Sequence, residues 1–149
     1  MFMCIVLAAG IIAADQLLKY AVISEMTLGQ SVSVIPGILH LTYIENAGAA
    51  FGILEHQRWL FIAVAVVLIA AAVYFHRQIS RLSLSHKIAV AMLTGGAVGN
   101  MIDRIHIGRV IDYIDFRVWP IFNFADIAIV LGCAFIICSL LFSREGSKA

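Results

Sequence analysis

Four long apolar runs, separated by shorter segments that are richer in polar residues, make up most of the 149-residue chain. The first run is interrupted only by Asp15 and Lys19, and the second contains no charged residue. The length of each run is close to the ~17–25 residues that a helix needs to cross the hydrocarbon core of a bilayer. The pattern therefore predicts four transmembrane helices, at about residues 3–23, 59–75, 88–105 and 121–142.

A shorter alternating pattern lies between the first two runs. In residues 31–44, SVSVIPGILHLTYI, apolar and polar positions alternate around Pro36-Gly37, a pair suited to the centre of a type II turn. This segment is predicted to form a small β-hairpin on the membrane surface. The 106–120 segment is expected to be an irregular loop.

The composition indicates that lipid is the main solvent of this chain. Hydrophobic residues make up 62% of it and charged residues 13%, whereas soluble domains have about 45–50% and about 25%. The net charge of +1 gives no electrostatic basis for binding nucleic acid. The cysteines, Cys4, Cys133 and Cys138, lie in apolar runs without CxxC spacing, which indicates neither a metal site nor a disulfide framework.

Basic residues in the loops predict the orientation of the helices. The 76–87 connection contains Arg77, Arg81 and Lys87 and no acidic residue, and the C-terminal tail adds Arg144 and Lys148. By the positive-inside rule these parts and both termini are cytoplasmic, which places the hairpin outside. The predicted fold class is a mainly α integral membrane protein of four transmembrane helices, with a small β-hairpin or sheet element in the first extracytoplasmic segment, forming one domain over residues 1–149.

Strongly polar residues within the predicted spans gather near the outer face. They are Asp15, Lys19, Asn100, Asp103, Arg104, Asn123 and Asp126. Ionisable groups within a bilayer are costly and indicate a functional site by default. Three pairs of these residues also admit a structural role. Asp15 and Lys19 could form an ion pair within one helix, and Asn123 and Asp126 could cap the fourth helix. Asp103 and Arg104 could anchor the third helix at the lipid headgroups. Gly95 and Gly99 form a small-xxx-small pattern typical of helix packing.

A turn between the third and fourth predicted helices would bring Asp112 close to Asp126. Two close carboxylates do not easily both ionise, so they share a proton. Such a pair can take a proton from water while it protonates a carbonyl oxygen or a leaving amine. The chain has no HExxH motif, no histidine spacing suited to zinc and no GxSxG serine. The sequence therefore favours a hydrolase that uses an aspartate pair.

Other functions stay open at this point. The main alternative is a small ion-coupled transporter that uses intramembrane carboxylates as proton relays. Such transporters tend to carry these groups near the midplane and to contain inverted repeats, whereas here the groups lie near one face and no repeat is found. A metal-dependent membrane phosphatase and a purely structural subunit are further alternatives.

Five segments, in order along the chain, match the motifs of one known family. They are DQLLK (15–19), NAGAAFG (46–52), GGAVGNMIDR (95–104), GRVIDYIDF (108–116) and FNFAD (122–126). Together they resemble the lipoprotein signal peptidases, or signal peptidase II, which are bacterial aspartic proteases of the cytoplasmic (inner) membrane. One such motif is weakly specific, but five in register are highly specific.

The resemblance implies an endopeptidase whose catalytic dyad is Asp112 and Asp126, near the outer face of the membrane. It implies that further residues bind the substrate or support the dyad, namely Asn46, Gly48, Asn100, Arg104, Asn123, Asp15 and Lys19. The implied substrates are prolipoproteins, cut just before a cysteine that carries a diacylglyceryl group and held in contact with membrane lipids. No metal or organic cofactor is implied. Asp115 is expected to be a hydrated carboxylate beside Arg109 or Arg117, outside the dyad.

Overall fold

The computed structural model describes residues 1–48 and 53–143. Residues 49–52 of the NAGAAFG motif and the basic tail residues Arg144 and Lys148 lie outside the described part. The elements found in the described ranges are, in chain order, α1 (Phe2–Glu25), β1 (Ser31–Ile35), β2 (Leu39–Asn46), α2 (Arg58–Tyr74), α3 (His76–Arg81), α4 (Leu84–His106), β3 (Val110–Asp115) and α5 (Phe124–Ser143).

The four longest helices fall on the four predicted spans. Two of them, over Phe2–Glu25 and Phe124–Phe142, are long and apolar enough to cross a membrane. Helix α2 is apolar but has 17 residues, and the 23-residue α4 carries several polar residues in its second half. The mainly helical fold with a small β element is therefore confirmed. The four-span topology and the cytoplasmic termini stay predictions.

Burial in this protein is inverted relative to a water-soluble domain. The largest fully buried side chains are Lys19, Asn123, Asp15 and Asp112, whereas large apolar side chains such as Leu17, Val67 and Leu140 are 66–68% exposed. In water, such a continuous apolar surface would be unfavourable. The arrangement is typical of helices that turn apolar faces to lipid and enclose their ionisable groups within the protein.

Helix α4 is the centre of the bundle, where it packs against α1, α2 and α5. A Cβ atom on Gly95 would lie 3.0 Å from a backbone carbonyl of α1, and one on Gly99 would lie 2.5 Å from Asp15 Oδ2. A Cβ atom on Gly96 would lie 2.5 Å from the carbonyl oxygen of Ala125 in α5. The predicted packing role of Gly95 and Gly99 is confirmed, and it brings the polar residues of α1 and α5 against α4.

The three strands form one antiparallel sheet in the order β1-β2-β3. The predicted hairpin is present, with β1 and β2 joined at Pro36-Gly37. Gly37 has a φ of +73°, and the N–H of Ile38 donates to the carbonyl oxygen of Ile35 at 3.0 Å. These are the features that a type II turn requires.

Strand β3 corrects the prediction of an irregular loop between the last two long helices. Residues Val110–Asp115 pair with β2, where Asp112 lies opposite Ile44, and the register shifts between Leu41 and Ile44. On its other side, β3 pairs with Phe122 through Ile114. The strand was missed because nearly all its residues are buried, aspartates included, so VIDYID shows no alternation of apolar and polar positions. Its pairing with Phe122 places the start of α5 beside Asp112.

Candidate active site

Asp112 lies within β3 with its side chain buried. Its Oδ1 accepts a hydrogen bond from Asn123 Nδ2 at 2.6 Å, and its Oδ2 accepts one from Asn46 Nδ2 at 2.9 Å. The sheet positions Asn46, because it pairs with Val110 and so lies diagonally across from Asp112 on the same face. Both carboxylate oxygens are therefore held by neutral amide donors.

Asp126 lies in the first turn of α5, where it takes part in a capping box with Asn123. The N–H of Asp126 donates to Asn123 Oδ1 at 2.9 Å, and the N–H of Asn123 donates to Asp126 Oδ2 at 3.2 Å. The predicted capping role is confirmed. The remaining oxygen, Oδ1, accepts a hydrogen bond from Asn100 Nδ2 at 2.7 Å. Asn123 and Asp126 therefore cap α5 and also form part of the candidate site.

Asn123 connects the two carboxylates. Its side-chain amide donates to Asp112, its backbone N–H donates to Asp126, and its residue is 0% exposed. The same amide nitrogen lies 3.1 Å from Asn100 Oδ1 and 3.3 Å from the carbonyl oxygen of Ile111. Because Asn123 is fixed from several directions, it fixes Asp112 and Asp126 relative to each other.

The surroundings of Asp112 favour its protonated form. Burial, and then the nearby charge of Asp126, raise the pKa of Asp112 to about 7, against the opposing effect of the hydrogen bonds from Asn46 and Asn123 and the charge of Lys19. A carboxyl group with a pKa near 7 gains and loses a proton readily at neutral pH, as general acid–base catalysis requires.

Asp112 and Asp126 both line one cavity of about 610 Å³. Its polar end also includes Asn46, Asn100 and Arg104. The other walls are mainly apolar and come from α2, α4 and α5, including Phe61, Val64, Leu68, Leu93, Ile129 and Val130. The cavity therefore combines a polar end, which contains two carboxyl groups, with a volume and walls suited to an apolar ligand.

Arg104 forms part of the cavity wall. Its Nη2 donates to the carbonyl oxygen of Gly48 at 3.1 Å, and its guanidinium lies 4.3 Å from the centre of the Phe61 ring. The N–H of Gly48 donates to Asn46 Oδ1 at 2.9 Å. Arg104 thus holds the turn that orients Asn46 toward Asp112.

Asp15, Lys19 and Asp103, here called the buried triad, lie behind the cavity and do not line it. Lys19 Nζ lies 2.8 Å from Asp15 Oδ2 and 2.7 Å from Asp103 Oδ2, and it donates to Asn100 Oδ1 at 2.9 Å. The predicted ion pair is confirmed. The suggested headgroup anchor is wrong for Asp103, which is 5% exposed and faces Lys19 inside the bundle.

Asp115 lies at the end of β3 and is not part of the cavity. The Thr42 hydroxyl and the N–H of Arg117 each donate to it at 2.7 Å, and the Arg117 guanidinium lies 3.3 Å away. Burial acts to raise its pKa, but these contacts outweigh burial and the pKa lies below its ordinary value. The pairing with Arg117 is confirmed, whereas Arg109 contacts Glu45 instead. The expectation of a hydrated side chain is wrong, since Asp115 is 5% exposed.

Gln16 and Asp103 belong to the network but were not among the predicted site residues. Gln16 Nε2 donates to Asp103 Oδ1 at 3.0 Å and to the carbonyl oxygen of Gly99 at 3.2 Å. Asp103 in turn accepts a hydrogen bond from the N–H of Ile111 at 3.3 Å. The available signals were the position of Gln16 next to Asp15 and the spacing of Asp103 three residues after Asn100 on one helix.

Known proteins resemble this chain over most of its length. A family model described as Peptidase_A8, signal peptidase (SPase) II, matches residues 7–142. The chain belongs to the signal peptidase II family. It is 43% identical over 130 residues to the lipoprotein signal peptidase of Halothermothrix orenii, covering 87% of this chain and 89% of the relative. It is 42% identical over 149 residues to that of Desulfitobacterium hafniense, covering 98% and 99%.

Solved structures of two bacterial membrane enzymes share the fold of this chain. A bacterial membrane enzyme determined by the in meso method at 2.3 Å has a TM-score of 0.91 and 35% identity, covering 99% of this chain and 93% of that one. A second, at 1.9 Å, has a TM-score of 0.84 and 36% identity, covering 95% and 94%. The resemblance based on the five motifs is confirmed. The chain is a membrane protease of this family, and the transporter alternative loses its support.

Proposed function

We propose that this protein removes signal peptides from lipid-modified prolipoproteins with an aspartate dyad, Asp112 and Asp126, cutting just before the diacylglyceryl-cysteine. The observation that carries the proposal is the placement of these two carboxylates at the polar end of one otherwise apolar cavity. Relatives named lipoprotein signal peptidase, similar over nearly the whole chain, support the choice of substrate.

The dyad hydrolyses the peptide bond in two steps, the formation and the breakdown of a tetrahedral intermediate. Each step includes two proton transfers. The ionised carboxylate takes a proton from water as the water oxygen attacks the scissile carbonyl carbon, and the protonated carboxyl gives its proton to the carbonyl oxygen. When the C–N bond breaks, the leaving amine takes a proton from the first carboxyl and the second recovers a proton from the diol. Water is consumed, and the dyad returns to its singly protonated state.

The amide donors around the dyad keep its carboxylates in place during this cycle. Asn46 and Asn123 hold Asp112, while Asn100 holds Asp126. Neutral amides stabilise the ionised form less than a cation would, so either carboxyl can still be protonated. Arg104 adds a positive charge at the polar end of the cavity, where it can attract the carbonyl oxygen of a bound peptide.

The apolar walls of the cavity fit a substrate that carries acyl chains. They come from α2, α4 and α5, and the outer faces of α2 and α5 are themselves apolar and exposed. A diacylglyceryl group can therefore lie against apolar side chains while the scissile bond reaches the dyad. We assign the sheet and the dyad to the outer face of a four-span protein, because the basic residues Arg77, Arg81 and Lys87 lie at the opposite end of α4.

The substrate assignment is tested by comparing two forms of one precursor. A precursor with a diacylglyceryl-cysteine and the same precursor with an unmodified cysteine are incubated with the purified protein in detergent micelles. Each buried methylene contributes about 0.8 kcal/mol, so roughly four of them account for about 100-fold in kcat/KM. We expect the lipidated form to be cut before the cysteine at least about 100-fold more efficiently. Equal cleavage of both forms, measured by mass spectrometry of the released peptide, would contradict the proposal.

Activity is expected to persist in strong chelators, because the dyad activates water without a metal ion. In the described ranges, no group of three or more His, Cys, Asp or Glu side chains is arranged to hold a metal. The measurement is the cleavage rate of the lipidated precursor after dialysis against EDTA. Complete loss of activity that a divalent cation restores would replace the dyad mechanism by metal-assisted hydrolysis.

A further inference from the structure

The buried triad is connected to the backbone next to each dyad residue. Asp15 Oδ1 accepts a hydrogen bond at 3.1 Å from the N–H of Ala125, the residue directly before Asp126. Asp103 Oδ2 accepts one at 3.3 Å from the N–H of Ile111, the residue directly before Asp112. The ammonium group of Lys19 joins these two aspartates at 2.8 and 2.7 Å. A single cation therefore links the strand that carries Asp112 to the helix that carries Asp126.

A second connection runs from Lys19 to Asp126 through Asn100. Lys19 donates to Asn100 Oδ1 at 2.9 Å, and Asn100 Nδ2 donates to Asp126 Oδ1 at 2.7 Å. An ammonium group only donates hydrogen bonds, so the amide oxygen of Asn100 must face Lys19. Its NH₂ group must then face Asp126. Lys19 thereby selects the amide orientation in which Asn100 is a donor to the dyad.

We propose that Lys19, acting with Asp15 and Asp103, is a positioning residue that sets the separation between the two dyad carboxylates. The proposal rests on the proposed function. Helix α1 contributes no side chain to the cavity, so its influence on the reaction runs through these contacts. A buried cation that bridges two aspartates also keeps them from repelling each other, and that repulsion would move β3 away from the start of α5.

The separation of the carboxylates has its own experimental signature. Two coupled acids give a bell-shaped pH profile, and its acidic and basic limbs move closer together as the carboxylates move apart. Loss of folded protein lowers the maximum rate in the pH profile without changing the distance between its two limbs. A change in nearby charge shifts both limbs together. The charged or titratable groups that interact with Asp112 are Lys19 of α1, Arg104 of α4, Asp126 of α5 and Tyr113 of its own strand.

The test compares Lys19→Met with Lys87→Met, the same substitution in the first turn of α4, far from the dyad along that helix. The readouts are kcat, KM and the pH profile for cleavage of the lipidated precursor, with thermal melts in detergent. For Lys19→Met we expect kcat to fall about 100-fold, as a small misplacement does, and KM to change by less than about threefold. The two limbs should approach each other by roughly 0.5 unit or more. Lys87→Met should match the unsubstituted protein.

Asp103→Asn is the second variant, for the case in which Lys19→Met does not fold. Asparagine keeps the shape of the side chain and an acceptor for the N–H of Ile111, but it weakens the contact with Lys19. We therefore expect a narrower pH profile and a loss of about tenfold in kcat. A folded variant with an unchanged distance between the limbs would overturn the proposal, and so would failure of both variants to fold. If the unsubstituted protein does not cleave the lipidated precursor, the proposed function itself fails, which is a different result.

Discussion

Asp112→Asn and Asp126→Asn are each expected to abolish signal-peptide release from a lipidated precursor while the protein stays folded. Asparagine keeps the shape of the side chain but cannot accept or deliver the transferred proton. Loss of one acid–base role costs on the order of 10²–10⁴-fold in rate, and the two carboxyl groups act as a unit. The measurement is kcat/KM for the lipidated precursor, with thermal melts of both variants in detergent.

Asp115→Asn is the matched control, because Asp115 lies in the same strand as Asp112 but outside the cavity. It loses part of its contacts with Thr42 and Arg117, so a loss of about 1–2 kcal/mol in the free energy of unfolding is expected. Its activity should stay within about tenfold of the unsubstituted protein. An inactive Asp115→Asn beside an active Asp112→Asn would assign the dyad to Asp115 and Asp126 instead.

Asn123→Ala is expected to combine a large loss of activity with a loss of stability. The substitution removes the cap of α5, which contributes about 0.5–2 kcal/mol, and leaves Asp112 Oδ1 without its 2.6 Å donor, which costs about 1–3 kcal/mol. Because Asn123 positions both carboxylates, cleavage should fall by about 100-fold or more. The measurements are the melting temperature and kcat/KM.

Asn123→Ser separates these two effects. Serine is also a good N-cap residue, but its side chain is too short to reach Asp112 as the asparagine amide does. Asn123→Ser should therefore recover much of the stability that Asn123→Ala loses and still show the low activity. Recovery of full activity together with stability would mean that Asn123 serves only as a helix cap.

The helices were predictable because lipid imposes a simple pattern on the sequence. A helix surrounded by lipid must be apolar over most of its length, so α1 and α5 are recognisable from their apolar runs alone. Helix α5 begins at Phe124, three residues after the predicted start at residue 121, because Phe122 pairs with Ile114 before the helix begins. Strand β3 was not predictable, because its aspartates, Asp112 and Asp115, are both buried and hide the alternation by which strands are identified.

The residues of the site were predictable to different degrees. The motifs placed Asp112 and Asp126 together, and both line the cavity. The capping box followed from the spacing of Asn123 and Asp126. The contacts of Lys19 with Asp103 and Asn100 were not predictable, since they depend on how α1 and α4 are rotated against each other. That rotation is set by close contacts at Gly95 and Gly99, which the sequence identifies as packing positions without specifying their partners.

The pH dependence of cleavage tests the shared proton of the dyad most directly. Burial and the charge of Asp126 raise the pKa of Asp112 to about 7. As the pH rises through this value, the dyad loses its remaining proton and can no longer protonate the carbonyl oxygen or the leaving amine. The measurement is kcat/KM for the lipidated precursor from about pH 5 to about pH 9. The dyad predicts that kcat/KM declines above about pH 7, whereas activity that keeps rising to about pH 9 would contradict it.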